Sequence, residues 1–358
     1  MNLLLTSVGR RAYMVSYFKK ALNGDGLVHA ANSEFTFAMQ EADRAVLTPL
    51  IYDENYIGFL INYCIVNKIN TIVPLFDIDL PILSKNKEKL SENGITAIVS
   101  DTNVTEICND KWLTHKFLVK NGFDSPISFI TLSDCKKAIE NKTLHFPLII
   151  KPRWGMGSLS IYEVNNIPEL EVLYKKVRVE IFNSYLKFES GHDQDNCIII
   201  QQKIIGEEYG IDIFNDLDSN YLCSIPKRKK VMRAGETDIA EIIRNPTLDE
   251  LGIKLSNDLK HIANLDVDCI KQGNKYFILD MNCRFGGQYP FAHLAGVNFP
   301  QVLIDIRLGL PIDTDLLKVK EYITGTKNLD VVILNHALND SKIDNIKSKN
   351  QKCIPILP

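Results

Sequence analysis

Residues 264–287 read NLDVDCIKQGNKYFILDMNCRFGG. After the apolar Phe277-Ile278-Leu279, Asp280, Asn282 and Arg284 fall at every second position. Alternate residues of a strand share a face, so a carboxylate, an amide and a guanidinium would line one side. A second strand-like run, Asp266–Ile270, precedes it, with turn residues at Gly273-Asn274 between them. A three-residue loop, 273–275, sets Asp268 directly across from Asp280. A two-residue loop at Gly273-Asn274 would slip the register by one and put the two on opposite faces. The three-residue loop is expected. Facing acids repel unless something positive lies between them. Asp268, Asp280 and Asn282 then offer three hard oxygen donors, the kind that Mg²⁺ or Mn²⁺ prefers. Arg284, one step further, is placed to clamp a phosphate or carboxylate with both arms.

Two other stretches carry chemistry. PLIIKPRWGMGSLSI (147–161) reads as strand, loop and strand, with Lys151 closing the first strand and Gly155, Gly157 and Ser158 in the loop. Glycines let backbone N–H groups approach an anion closely. The spacing is not that of a GxxxxGK[ST] P-loop. A hairpin covering phosphates fits better, with Lys151 as a point charge beside it. IPKRKKVMRAGETD (225–238) reads as a basic loop that carries Lys227, Arg228 and Arg233, followed by Gly235-Glu236-Thr237.

The elements that must position these residues fall into two textures. Residues 1–105 alternate short apolar runs (Leu3–Leu5, Leu27–Ala31, Thr71–Pro74, Ile95–Val99) with helical patterns at 11–22, 55–67 and 84–93. Such alternation predicts a Rossmann-like parallel sheet covered on both faces. Ligands collect at the carboxyl ends of such strands, where SVGRR with Arg10 and Arg11 follows the first strand. It is not GxGxxG, so a dinucleotide reading is weak. From 106 onward short strands and two long helical stretches, 168–187 and 248–264, predict an α+β region of antiparallel character. The expected organisation is 1–105, then 106–325 in two subdomains (106–203 and 204–325), then a tail, 326–358, with one strand-like run at Val331–Leu334.

Composition bounds the function. A chain of 358 residues with 45% apolar and 24% charged residues holds two or three ordinary domains. Its net charge of −3 gives no global basic field for nucleic acid. No apolar run is long enough to span a membrane. The apolar start, Leu3–Leu5, is too short for a signal-peptide core. Eight cysteines are scattered without CxxC spacing, which fits a reducing cytoplasm better than zinc or disulfides.

Taken in order, IIKPRWGMGS, QQKIIGEEYGID and FILDMNCR resemble the ATP-grasp superfamily of carboxylate–amine ligases. More narrowly, the chain resembles its carbamoyl-phosphate-synthase-large-subunit-like proteins with a single ATP-grasp module. The resemblance covers residues 1 to about 320. It implies a Rossmann-like domain followed by two subdomains that grip ATP between them. Residue by residue it implies magnesium ligands at Asp268, Asp280 and Asn282, and two ions. It implies phosphate contacts from Lys151 and from the Gly155–Ser158 loop, and a basic residue, Lys111, at the mouth of the nucleotide site. Gln202, where the family usually has glutamate, with Lys203 and Ile204, would meet adenine, and Glu208 the ribose. Arg284 would stand at the reacting end, with Lys151 and Arg233. Asp280 replaces the family's frequent glutamate and Cys283 its proline. The implied reaction is amide formation from a small-molecule carboxylate and amine through an acyl phosphate, releasing ADP and phosphate, by an enzyme that in this family often forms a homodimer. Full carbamoyl-phosphate synthesis needs two such modules, and this chain has one. A phosphotransferase and a non-catalytic nucleotide-binding partner are the rival readings.

Overall fold

The computed structural model describes residues 1–334. The first sheet comprises β1 (Asn2–Thr6), β2 (Val28–Asn32), β3 (Arg44–Leu47), β4 (Ile69–Pro74) and β5 (Thr96–Ala97). All pair in parallel, in the order β3-β2-β1-β4-β5. Leu3 and Leu5 point into one core and Leu4 into another, as a strand covered on both faces requires. Helices α1 (Ala12–Leu22) and α2 (Phe37–Glu41) cover one face. The other carries α3 (Tyr56–Val66), α4 (Asp79–Lys85), α5 (Lys87–Glu92) and α6 (Thr102–Asn109). The single helix expected at 84–93 is two, broken at Asn86, whose side chain donates to the Ile82 carbonyl. Strand order reverses between β1 and β4, so a crevice opens at their carboxyl ends. Ser7–Arg11 leave one side of it and Leu75–Ile78 the other.

A second sheet is antiparallel, with order β6-β9-β7-β8. It is built from α7 (Lys111–Lys120), β6 (Ser128–Phe129), α8 (Leu132–Glu140), β7 (Leu148–Pro152), β8 (Tyr162–Val164), α9 (Ile167–Phe182), α10 (Lys187–Ser190) and β9 (Ile198–Gln202). It packs its own core, with Ile150, Val177 and Ile198 wholly buried.

The third sheet has order β14-β13-β10-β11-β12-β15. Its elements are β10 (Glu207–Asn215), β11 (Tyr221–Arg233), β12 (Glu236–Ile242), α11 (Pro246–Leu259), β13 (Ala263–Gln272), β14 (Lys275–Asn282), α12 (Tyr289–Leu294), α13 (Phe299–Arg307) and β15 (Thr324–Thr326). This sheet shares cores with the first: Phe18 of α1 meets Phe285 edge-on at 6.1 Å between ring centroids, and Tyr17 stacks on His293 at 3.6 Å.

Four expectations are corrected here. Residues 225–238 are not a loop but most of the β11–β12 hairpin, turned at Ala234 and Gly235 with positive φ of 48° and 77°. Two such residues make the tight turn that suits a twisted hairpin. The helical stretch 248–264 ends at Leu259, and by Ala263 the chain is strand. Val331–Leu334 pair with no strand among the described residues and lie exposed. The β13–β14 turn has two residues, not three, because Gln272 pairs with Lys275. Asp268 still faces Asp280, because the register shifts between Asp268 and Cys269. Cys269 pairs with Ile278, so Leu279 is the extra residue of a β-bulge.

Candidate active site

The three sheets meet around a cleft of about 330 Å³. The second sheet contributes Lys151 from the end of β7, with Gly155–Leu159 above it, and α7 contributes Lys111. The third supplies Lys229 from β11, Asp266 and Asp268 from β13, Asp280 and Asn282 from β14, then Arg284 and Gln288. The first closes the far end with Arg11, Phe76 and Asp77. Gly235–Thr237 and Lys327 complete the wall.

Alternation in the hairpin does the sorting. Asp266 pairs with Asn282 and Asp268 with Asp280, so one face carries three carboxylates and an amide. Two lysines converge on Asp280: Lys111 Nζ at 3.1 Å and Lys151 Nζ at 3.9 Å. Lys111 is fixed by its place at the first turn of α7 and by donating to the Gly155 carbonyl at 2.7 Å. Asp110 caps that helix, accepting from the N–H groups of Trp112 and Leu113, and takes two hydrogen bonds from Arg153. Lys229 Nζ reaches Asp268 at 2.5 Å. Gln288 donates to both Asp266 and Asp268.

Burial opposes every one of these charges, and neighbours decide the outcome. Asp280 is held below the usual carboxylate range because Lys111 and Lys151 outweigh its burial. Asp268 is pushed up by burial, which Lys229 offsets only in part. Lys151 is pulled down by burial, with Lys111 adding to it against the pull of Asp280. Arg284 is held above its ordinary value, since Asp77 and Asp266 outweigh its burial. Its fork is engaged: Nη1 donates to Asp266 at 3.0 Å and Nη2 to Asp77 at 2.8 Å. The expected clamp on a ligand is thus turned toward two carboxylates, while Nε is buried with no protein partner.

The glycine loop closes over this group. Gly157, Ser158 and Ser160 all adopt positive φ, of 63°, 58° and 55°. Ser158 packs onto Gly235, where an added Cβ would lie 1.9 Å from its Oγ. A second cavity, of about 410 Å³, is lined by Gly206–Glu208, Arg228–Lys230 and Met232. Lys229 lines both cavities.

Of the residues singled out in the sequence, Lys111, Lys151, Gly155, Gly157, Ser158, Asp268, Asp280, Asn282 and Arg284 come together in the cleft. Glu208 lines the second cavity. Gln202, Lys203 and Ile204 run from the end of β9 toward it and line neither. Lys203 is paired with Glu163, and Ile204 is buried. Arg233 lies outside, exposed and paired with Asp238. Lys227 is wholly buried against Asp212, and Arg228 pairs with Glu241. Arg10 points outward to Glu236, while Arg11 lines the cleft. Sequence reasoning missed Lys229, Asp77, Asp266, Gln288 and Lys327. Two of these carried a signal: Asp266 and Lys229 stand two residues from Asp268 and Lys227, on the same strand faces.

Among the described residues no group of three or more His, Cys, Asp or Glu side chains is disposed to hold a metal. Asp268 and Asp280 with the Asn282 amide form a smaller donor set, two carboxylates and a neutral oxygen. That suits Mg²⁺, which is commonly held by one or two carboxylates together with phosphate oxygens and water.

Two family models match: a PylC-like N-terminal domain over residues 3–98 and an ATP-grasp domain "in the biosynthetic pathway with Ter operon" over 194–331. Biotin carboxylase from Campylobacter jejuni, solved as a β,γ-ATP complex, superposes with a TM-score of 0.70 at 16% identity, covering 90% of this chain and 74% of that one. The biotin carboxylase domain dimer of Hydrogenobacter thermophilus 2-oxoglutarate carboxylase, solved with MgADP and bicarbonate, gives 0.68 at 16% identity, covering 86% and 69%. L-amino acid ligase from Bacillus licheniformis gives 0.66 at 22% identity, covering 89% and 76%. Among curated proteins, acetyl-CoA carboxylase 2 of Arabidopsis thaliana is 23% identical over 172 residues, 47% of this chain but only 7% of that protein. Residues 3–98 therefore match a PylC-like N-terminal domain and residues 194–331 an ATP-grasp domain, and the chain shares the fold of these solved structures, with a parallel-sheet domain before the antiparallel sheets.

Proposed function

We propose that this protein is an ATP-dependent ligase that joins a small-molecule carboxylate to an amine through an acyl phosphate. The observation that carries the reading is the convergence of Lys111 and Lys151 on Asp280, directly across from Asp268 and beneath a glycine loop. In it, the triphosphate of ATP lies along that lysine pair, and the base and ribose extend past Lys229 toward Glu208, Gln202, Lys203 and Ile204. Asp268, Asp280 and Asn282 would hold Mg²⁺, two ions in our reading, whose chemistry is to neutralise charge on the phosphate oxygens.

The substrate carboxylate attacks the γ-phosphorus; the bond to the bridging oxygen breaks and ADP leaves. The amine nitrogen then attacks the acyl carbon, the C–O bond to phosphate breaks, and the nitrogen loses a proton. Lys111 and Lys151 supply charge that Asp280 has already positioned, and one preorganised contact of this kind is typically worth roughly 3–4 kcal/mol. Residues 155–158 exclude water from the mixed anhydride. Arg284 acts by orienting Asp266 and Asp77 and by its remaining N–H. No side-chain nucleophile is needed. A homodimer in a reducing cytoplasm completes the reading; the seven free cysteines among the described residues fit that compartment.

The test is a hydroxamate trap. With MgATP, hydroxylamine and a panel of carboxylates, a ligase releases ADP and gives hydroxamate in equal amounts. ADP release with a stable phosphorylated product would instead mark a phosphotransferase.

A further inference from the structure

Five of the six lysines and arginines that line the cleft are ion-paired: Lys111 and Lys151 with Asp280, Lys229 with Asp268, Arg284 with Asp77 and Asp266, and Lys327 with Glu236. Among the described residues, Arg11 is the one cleft cation with no carboxylate in ion-pair reach. Its guanidinium makes one hydrogen bond, Nη1 donating to the Phe285 carbonyl at 3.2 Å. Burial and the adjacent Arg284 work against its charge and outweigh Asp77 and Asp266, which favour it from beyond ion-pair reach. A buried cation is costly without a counter-charge.

Its position is also informative. Arg11 precedes α1 at the carboxyl end of β1, where strand order reverses and ligands of such sheets bind. The α1 N-terminus beside it has no side-chain cap and no acid in its first turn. Its first N–H groups and the positive end of its dipole therefore face the same crevice. Arg11 and Asp77 enter the cleft from the first domain, whereas Lys111 and Lys151, which meet Asp280, enter it from α7 and the second sheet.

We propose that Arg11 and the α1 N-terminus bind a second anionic group of the substrate, a carboxylate or a phosphate, other than the carboxylate that is activated. The identity of the first group rests on the ligase reading; the anion site at Arg11 does not. The substrate class is then a dicarboxylate or a phosphorylated carboxylate.

The experiment compares matched pairs at saturating MgATP with hydroxylamine as acceptor: succinate against butyrate, and 3-phosphoglycerate against glycerate. We expect the doubly charged member to be preferred, and the pair that responds distinguishes carboxylate from phosphate. Arg11→Gln should raise KM for that member about 10- to 100-fold, the range for a lost charged hydrogen bond. It should leave KM for MgATP and for the singly charged member unchanged, and Arg11→Lys should recover part of the loss. Equal use of both members by the wild type, or an equal effect of Arg11→Gln on both, overturns the proposal. If no pair releases ADP, calorimetric titration of malonate into the MgADP complex decides: weaker binding to Arg11→Gln supports the site, and equal binding overturns it. Hydroxamate formed without any Arg11 dependence removes this site and leaves the ligase reading standing. A stable phosphorylated product that depends on Arg11 does the reverse.

Discussion

Lys227 and Lys229 sit two residues apart on one face of β11, and only one of them can meet a ligand. Lys227 is 0% exposed and donates to Asp212, itself 0% exposed. Removing one partner of a buried ion pair strands the other charge, so Lys227→Ala should cost about 3–5 kcal/mol in urea unfolding. Lys227→Met, with Asp212→Leu to remove both charges, should cost clearly less; an equal cost would show that packing rather than charge sets the effect. Asp280→Ala should abolish ADP release, and the unfolding midpoint should fall because Lys111 and Lys151 lose their shared counter-charge; normal turnover would refute the role given to this carboxylate. Asp79 offers a pH prediction. Wholly buried and hydrogen-bonded by Thr6 and Tyr56, its carboxyl is pushed up to about 6 by burial. An unfolded aspartate titrates near about 3.9, so the folded state binds this proton more tightly. The group's contribution to stability is full below about pH 4 and is lost as pH rises through about 6, a change of ~3 kcal/mol. Asp79→Asn should remove that slope; identical wild-type and variant differences between pH 4.5 and 7.5 would sink the assignment.

At the scale of elements, α7 is the device that aims Lys111. Asp110 caps the helix and also neutralises Arg153, which ties α7 to the end of β7, where Lys151 stands. Asp110→Ala removes a cap and leaves Asp193 as the one acid paired with Arg153 among the described residues, so a loss of about 3–5 kcal/mol is expected. KM for ATP should rise as well, because Lys111 loses its fixed start. Asp110→Asn keeps the cap and should recover part of the stability; if it behaves like alanine, the cap contributes nothing measurable. The bulge at Leu279 is the second such device. A two-residue turn alone would set Leu279 against Asp268; the extra residue restores the acid pair.

Across the whole molecule, the cleft exists only where three sheets meet, and the first and third share cores while the second packs its own. A nucleotide bound there should hold the second sheet against the rest. MgATP at about a hundred times its Kd should stabilise the native state by roughly 2.7 kcal/mol. Thermal unfolding with and without MgATP measures this, and Lys151→Met should abolish most of the shift while leaving the ligand-free midpoint little changed.

Local pattern alone determined much of this. The alternation of strand and helix before residue 105, the apolar Leu3–Leu5, and the two-residue period of Asp280, Asn282 and Arg284 are written into neighbouring residues, and periodicity translates directly into faces. The β3 strand escaped notice because its apolar core is only Ala45-Val46. The hairpin at 225–238 was masked by its run of charges, half of which turn out to point into the protein or the cleft. Tertiary structure decided what local pattern could not hold: that Arg284 faces Asp77, 207 residues away, that Lys229 rather than Lys227 enters the cleft, and that Arg11 has no carboxylate in ion-pair reach among the described residues. Ion pairing depends on distances between elements far apart in the chain, and no local period encodes those.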